Sequence, residues 1–325
     1  MKITSNGVLA TLHAFSYNDG ANPSAALVLG SDGYFYGTTE DGGTNYHGTV
    51  FKMDISGALV TLHAFTGGND GSFPGGLVLG SDGDFYGTTG GGGTNGLGTV
   101  FNMSTNGELI SLYSFAPGNE GANPYAALVQ GSDGYFYGTT QTGGTNGYGT
   151  VFKISTNGAL TKLYSFGSIQ DTNGVPIDGS LPSGLVQGGD GYFYGTTEYG
   201  GAYTNRYGPG TVFKISTHGV LTSLYSFTGG NDGANPQAAL VQGSDGFFYG
   251  TTGYGGNTNL NSGDGFGTVF RISANGTLAS LHSFTGGSPF NGGSDGGNPG
   301  PLAPQQAWFD SGDRTKKLEM AVNTG

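Results

Sequence analysis

One unit is written over and over in this chain. Its most regular copy spans residues 123–166, and its core string Phe-Tyr-Gly-Thr-Thr recurs with tyrosines at Tyr36, Tyr86, Tyr137, Tyr194 and Tyr249, 50 to 57 residues apart. Four short apolar or aromatic runs stand out in the regular copy, at 126–130, 135–139, 150–154 and 159–166. Gly-Ser-Asp-Gly and Ser-Thr-Asn-Gly join the first pair and the last pair. Asp-Gly and Asn-Gly between apolar runs mark tight hairpins, because primed turns need positive φ. Each unit therefore reads as a four-stranded antiparallel meander, with strands a to d in chain order. Four-stranded units in tandem at this period predict an all-β fold, a β-propeller.

The staggering of the repeat sets the expected blade count. Five full copies cover 22–66, 73–115, 123–166, 181–227 and 235–284. Residues 1–15 supply a further strand d, and 295–303 match the start of a strand a. Together these fragments predict a composite sixth blade, closed from both ends so that no sheet edge stays open. The whole of 1–300 is read as one propeller. The tail 304–325 holds the single Trp and lacks the repeat strings, so it is read as non-repeat sequence.

Composition enters as a check on this reading. The 325 residues include 69 Gly, 21 Phe and 19 Tyr. Glycine at that level without a collagen period can signal disorder. Here the glycines hold fixed turn positions and the aromatics fixed strand positions, so an ordered β-fold is expected. There is no Cys, which removes disulfides and thiolate metal sites. The formal charge of −12 argues against nucleic acid or an anionic membrane as partner. No run is long and apolar enough for a membrane helix, and no secretory signal precedes the repeat. A monomer acting on a small neutral molecule is expected, without an organic cofactor.

Chemistry is expected on the face that carries the b–c and d–a loops, because those loops vary in length while the opposite turns do not. The longest are 198–210 and 253–267 between strands b and c, and 167–182 and 285–299 between d and a. An acid precedes each strand a, at Asp19, Asp70, Glu120, Asp178, Asp232 and Asp295. Such oxygen donors could converge on Ca²⁺ at the channel mouth, or could simply start an Asx turn in each blade. His47 is the one histidine on this face and the candidate general base. Glu40, Glu198 and Arg206 complete the candidate catalytic set. Tyr46, Tyr148, Tyr199, Tyr203, Tyr207 and Tyr254 are candidates for stacking on a substrate ring, with local packing as the competing role. The aspartates of the Gly-Ser-Asp-Gly turns and the His/Tyr slot of strand d (His13, His63, Tyr113, Tyr164, Tyr225, His282) are read as structural.

The strings FYGTT, GGTN and GTVFKI resemble the GloVer tandem repeat of Gloeobacter and Verrucomicrobia type, over residues 1 to about 300. That resemblance implies a propeller-like β-repeat and an extracellular or periplasmic setting, and it supplies no catalytic residues. The chain also resembles, without residue-level correspondence, a lactone-hydrolysing propeller from environmental DNA. Together with the six-bladed lactonases, this implies a calcium-dependent hydrolase of lactones or esters. The alternative is a non-catalytic propeller that binds carbohydrate or a surface.

Overall fold

The computed structural model describes residues 2–3, 9–203, 208–260, 263–286, 297 and 299. Arg206, Tyr207, Asp295 and the tail 304–325 lie outside them. The chain is an all-β protein built of propeller blades, and no helix among the described residues is long and apolar enough to cross a membrane. It divides into two compact units, Met1–Phe166 and Gly167–Gly325.

The first unit begins with the paired strands β1 (Lys2–Ile3) and β2 (Leu9–Ala10), in the segment expected to start the composite blade. The partner strand expected for them falls outside the described residues. Blade 1 follows as β3 (Val28–Leu29), β4 (Phe35–Thr39), β5 (Thr49–Met53) and β6 (Leu59–Ala64). Blade 2 comprises β7 (Ser72–Leu79), β8 (Phe85–Gly91), β9 (Thr99–Met103) and β10 (Leu109–Ser114). Blade 3 comprises β11 (Val129–Gln130), β12 (Phe136–Thr140), β13 (Thr150–Ile154) and β14 (Leu160–Ser165). In the second unit, blade 4 is β15 (Ser180–Gln187), β16 (Phe193–Tyr199), β17 (Thr211–Ile215) and β18 (Leu221–Ser226). Blade 5 is β19 (Val241–Gln242), β20 (Phe248–Thr252), β21 (Thr268–Ile272) and β22 (Leu278–Ser283). All five are antiparallel meanders in chain order.

Every letter of FYGTT has a separate job. Successive residues of a strand face opposite sides of the sheet, so the Phe and Tyr of strand b pack against different neighbours. Tyr36 of blade 1 stacks on Phe85 of blade 2 at 4.1 Å, and Tyr86 of blade 2 on Phe136 of blade 3 at 4.0 Å. In the second unit Tyr194 stacks on Phe248 at 3.9 Å. The tyrosine hydroxyl then returns to the aspartate of its own a–b turn, as in Tyr36 to Asp32 at 2.8 Å and Tyr137 to Asp133 at 2.7 Å. Burial, reinforced by that carboxylate, pushes these phenols well above the ordinary tyrosine range. The central glycine leaves room for a strand-c ring: a Cβ on Gly87 would sit 2.5 Å from Phe101 Cζ. The first Thr donates to strand a of the next blade (Thr38 to the Gly75 carbonyl, 2.7 Å), and the second bonds the strand-c Thr (Thr39 to Thr49, 2.8 Å). Tyr36, Phe65, Phe85, Phe101, Phe136 and Phe152 are at 2% exposure or less, while Phe35 of the first FYGTT and Tyr249 of the last are half-buried.

Strand a departs from expectation. It has eight residues in blades 2 and 4 but only two in blades 1, 3 and 5. Blades 2 and 4 read Phe-Pro-Gly-Gly and Leu-Pro-Ser-Gly where the others read Asn-Pro-Xaa-Ala-Ala. The ladder survives in β7 through an irregularity between Pro74 and Leu77 that spans Gly75 and Gly76. Gly76 there faces Ala25 of blade 1 and Ala127 of blade 3, so the inner strands of these three blades close up around the smallest side chains.

Candidate functional site

The acids that precede strand a are held within their own blades. Asp19 accepts from the Ser16 backbone N–H at 2.8 Å and meets His13 of the outermost strand at 2.8 Å. Asp70 does the same with Thr66 N–H and His63, at 2.9 and 3.1 Å. Glu120 accepts from the Tyr113 hydroxyl, and Asp232 from Tyr225 at 3.0 Å. Asp178 accepts the backbone N–H groups of Gly167 and Ser168, both at 3.0 Å. Burial opposes ionisation of Asp19 and Asp70, but the hydrogen bonds from Ser16 or Thr66 and from the neighbouring His outweigh it. Both carboxyls sit below their ordinary range. These residues close the d–a turn and tie it to strand d, toward the outer rim of each blade. Among the described residues no three His, Asp or Glu side chains group so as to hold a metal. The five described acids already accept N–H and O–H groups inside separate blades, and these five do not come together as a calcium centre.

His47 belongs to an inter-blade latch. Its backbone carbonyl accepts the Phe73 N–H of blade 2 at 3.0 Å, as the Leu97 carbonyl accepts Asn123 N–H at 2.9 Å one blade on. Its ring lies against Gly67, edge-on to Phe73 at 6.2 Å, and its Nδ1 is buried without a hydrogen-bond partner. In that slot it substitutes for Leu97, which points to packing. Glu198 is anchored too, accepting from Gln237 Nε2 at 3.0 Å. Tyr148 and Tyr199 are half-buried, while Tyr46, Tyr203 and Tyr254 are exposed.

Glu40 is different. It follows the FYGTT of blade 1 and borders a cleft of about 330 Å³ with Ser24, Pro74, Gly75, Tyr125 and Gln141. That volume lies within the range of small-molecule sites, about 300–1,000 Å³. Blades 1, 2 and 3 each contribute. Tyr125, in the segment that leads into strand a of blade 3, lies over Gly90 of blade 2, where a Cβ would lie 2.1 Å from Tyr125 Cε1. Gly90 stands where blade 1 has Glu40 and blade 3 has Gln141, so its missing side chain makes room for the ring. The Glu40 backbone N–H is fixed to the Asn22 carbonyl at 3.0 Å, yet its carboxylate has no partner among the described residues. The cleft thus gathers an unpaired acid, an amide, a hydroxyl and a tyrosine face. Of these only Glu40 was singled out from the sequence. The signal for Tyr125 and Gln141 was the residue after each FYGTT, which reads Glu, Gly, Gln, Glu, Gly along the chain.

The second unit has its own cleft, of about 350 Å³, lined by Ala234, Asn235, Tyr254 and Asp264 among others. It is formed by the long b–c loop of blade 5 and the d–a turn that leads into that blade.

Comparison with known proteins adds the following. A Bacteroides uniformis structure provisionally assigned as a 6-phosphogluconolactonase is 18% identical, with a TM-score of 0.51 over 86% of this chain and 78% of its own. A provisionally assigned gluconolactonase is 13% identical, with a TM-score of 0.51 over 88% and 82%. The PQQ-bound aldose sugar dehydrogenase of Streptomyces coelicolor is 13% identical, with a TM-score of 0.52 over 88% and 86%. At these identities the likeness is one of fold. No curated protein matches the sequence. The Gloeobacter/Verrucomicrobia repeat matches residues 1–177 and 169–307, and the chain belongs to that repeat family.

Proposed function

We propose that the chain hydrolyses small lactones, sugar-derived ones foremost, at the Glu40 cleft. The observation that carries the proposal is a carboxylate left without a partner beside Tyr125, Gln141 and Ser24, in a cleft of the size that takes a small ring. The ligand class is suggested by the lactonases and the sugar dehydrogenase that share the fold.

The chemistry asks little of the site. The Glu40 carboxylate takes a proton from a water held against it, and that water's oxygen adds to the lactone carbonyl carbon. The carbonyl oxygen becomes an oxyanion, for which the Gln141 amide and Tyr125 hydroxyl are the available donors. Collapse breaks the ring C–O bond, and the departing alkoxide recovers the proton from Glu40. The products are the hydroxy acid and the carboxylate restored. No step is routed through calcium, because five of the six acids expected to bind it, all but Asp295, which lies outside the described residues, are hydrogen-bonded within their own turns.

The test is turnover of glucono-δ-lactone and of a p-nitrophenyl ester, with and without EDTA. Turnover that survives EDTA and is lost in Glu40→Gln is expected. Loss in EDTA with recovery on added Ca²⁺ would return the chemistry to a metal. A non-catalytic carbohydrate-binding propeller is the second reading, favoured by a cleft lining that, among the described residues, has Glu40 as its one acid and no His. Saturable sugar binding with no turnover above buffer would select it.

A further inference from the structure

Two tyrosines of blade 1 hold left-handed backbone where several other copies have glycine, although the turn into blade 3 has Pro117 at the Tyr17 position. Tyr46 has φ of 65° where Gly96 and Gly147 have 75° and 85°. Tyr17 has φ of 68° where Gly67 and Gly229 have 75° and 80°. The left-handed region is strained for a residue with a bulky side chain. Neither side chain recovers that cost by burial, since Tyr17 is 53% and Tyr46 66% exposed. They do meet each other, with ring centroids 5.9 Å apart and planes tilted by 46°. Phe73 and Leu181 also hold left-handed backbone, at φ of 56° and 51°, but both are half-buried. The two tyrosine rings face solvent side by side, a platform suited to a planar or ring-shaped ligand.

The pair stands at the outer end of a ribbon whose inner end is the Glu40 cleft. The Gly43 N–H holds the Tyr17 carbonyl at 2.8 Å, Ala21 and Asp41 exchange both backbone hydrogen bonds, and Glu40 N–H meets the Asn22 carbonyl. Between the rings and Glu40 along this ribbon, Asn22 Nδ2 donates to Asp41 Oδ2 at 2.8 Å, an amide and a carboxylate on the same path. Tyrosine faces flanked by an amide and an acid suit the alternating C–H and O–H surface of a neutral sugar. The acidic surface of the chain disfavours an anionic ligand.

We infer that Tyr17 and Tyr46 form an outer subsite that stacks a second sugar ring, so that the ligand of this face is an oligosaccharide reaching outward from the cleft. This rests on the cleft reading for the inner ring only. The test is calorimetric binding of maltohexaose, cellohexaose, xylohexaose, laminarihexaose and chitohexaose, each against its own monosaccharide, to the wild type and to a Tyr17→Gly, Tyr46→Gly double variant. Glycine takes the left-handed backbone freely and stands in the corresponding turns at Gly67, Gly96, Gly147 and Gly229, so the variant keeps the turns. At least one hexasaccharide is expected to bind the wild type tenfold or more tighter than its monosaccharide, with the double variant losing that gain and melting no lower. No hexasaccharide binding at millimolar concentration, equal binding by the variant, or tighter capture of a proline-rich peptide than of any saccharide overturns it. Loss of binding in the double variant without lactone turnover in the wild type would leave the subsite standing and remove the hydrolase. Turnover that needs Glu40, with saccharide binding indifferent to both tyrosines, would do the reverse.

Discussion

Blades 1 and 3 have the same interior and different loop faces. In each, the strand-b tyrosine bonds the turn aspartate, the two threonines pair, and the acid before strand a reaches a strand-d partner. Blade 3 then keeps glycine at 147, a half-buried Tyr148 and a neutral Gln141. Blade 1 carries the strained Tyr46, the latched His47 and the unpartnered Glu40. The repeat thus separates what a blade needs from what one blade has been given, and the additions sit together on one ribbon.

Six substitutions, in four experiments, would break or sharpen this contrast. The largest effect is expected from Glu40→Gln, which should lower lactone turnover about 100-fold or more, some 2.7 kcal/mol in the barrier, with the fold intact by circular dichroism. Restored turnover at wild-type level would remove Glu40 as base. Tyr36→Phe and Tyr137→Phe should each cost about 1 kcal/mol in urea unfolding, equally in the two blades, because each removes the same hydrogen bond. A difference of several-fold would mean that the two interiors are not equivalent after all. The reciprocal pair Tyr46→Gly and Gly147→Tyr should move stability in opposite directions, a gain of up to about 1 kcal/mol and a loss of similar size. At Gly147 an added Cβ meets nothing within 4 Å, so only backbone strain is at issue there. If both variants lose stability, Tyr46 makes a contact that the strain argument overlooks.

The smallest effect concerns Asp19. Its pKa in the folded chain lies below the ordinary carboxylate value, so its contribution is fully present above about pH 4 and is lost as pH falls through the folded value. The deficit of Asp19→Asn should therefore be measurable by thermal melting at pH 7 and fade below about pH 4. A deficit unchanged down to pH 2 would contradict this.

Much of the architecture was legible because the repeat aligns the chain with itself. The four strands, the hairpin turns and the Phe/Tyr alternation follow from residue types at fixed spacing. Strand b begins one residue later than expected, because Gly131 N–H closes the turn on the Tyr135 carbonyl. Strand a was overestimated in blades 1, 3 and 5, since an apolar run says nothing about whether its backbone pairs. The acids before strand a were weighed apart from the His/Tyr slot six or seven residues earlier. Their hydrogen bond across the turn was readable only once both lay on one crossover. Tyr125 and Tyr17 escaped notice for a related reason. Their importance lies in a glycine, absent or present, in another copy of the unit.

The stacking of Tyr36 on Phe85 and of Tyr86 on Phe136 has a consequence for how such a chain can be cut. The joints between neighbouring blades bury stacked aromatic rings, and stability in repeat arrays is a sum of repeat and nearest-neighbour joint contributions. Deleting blade 3 whole would strip the cover from Tyr86, Val100 and Phe115, leaving an apolar wall on the flank of blade 2. Shortening by complete units therefore trades a folded edge for an adhesive one. Growth and loss fall instead in the b–c and d–a loops, away from the stacked rings of strand b.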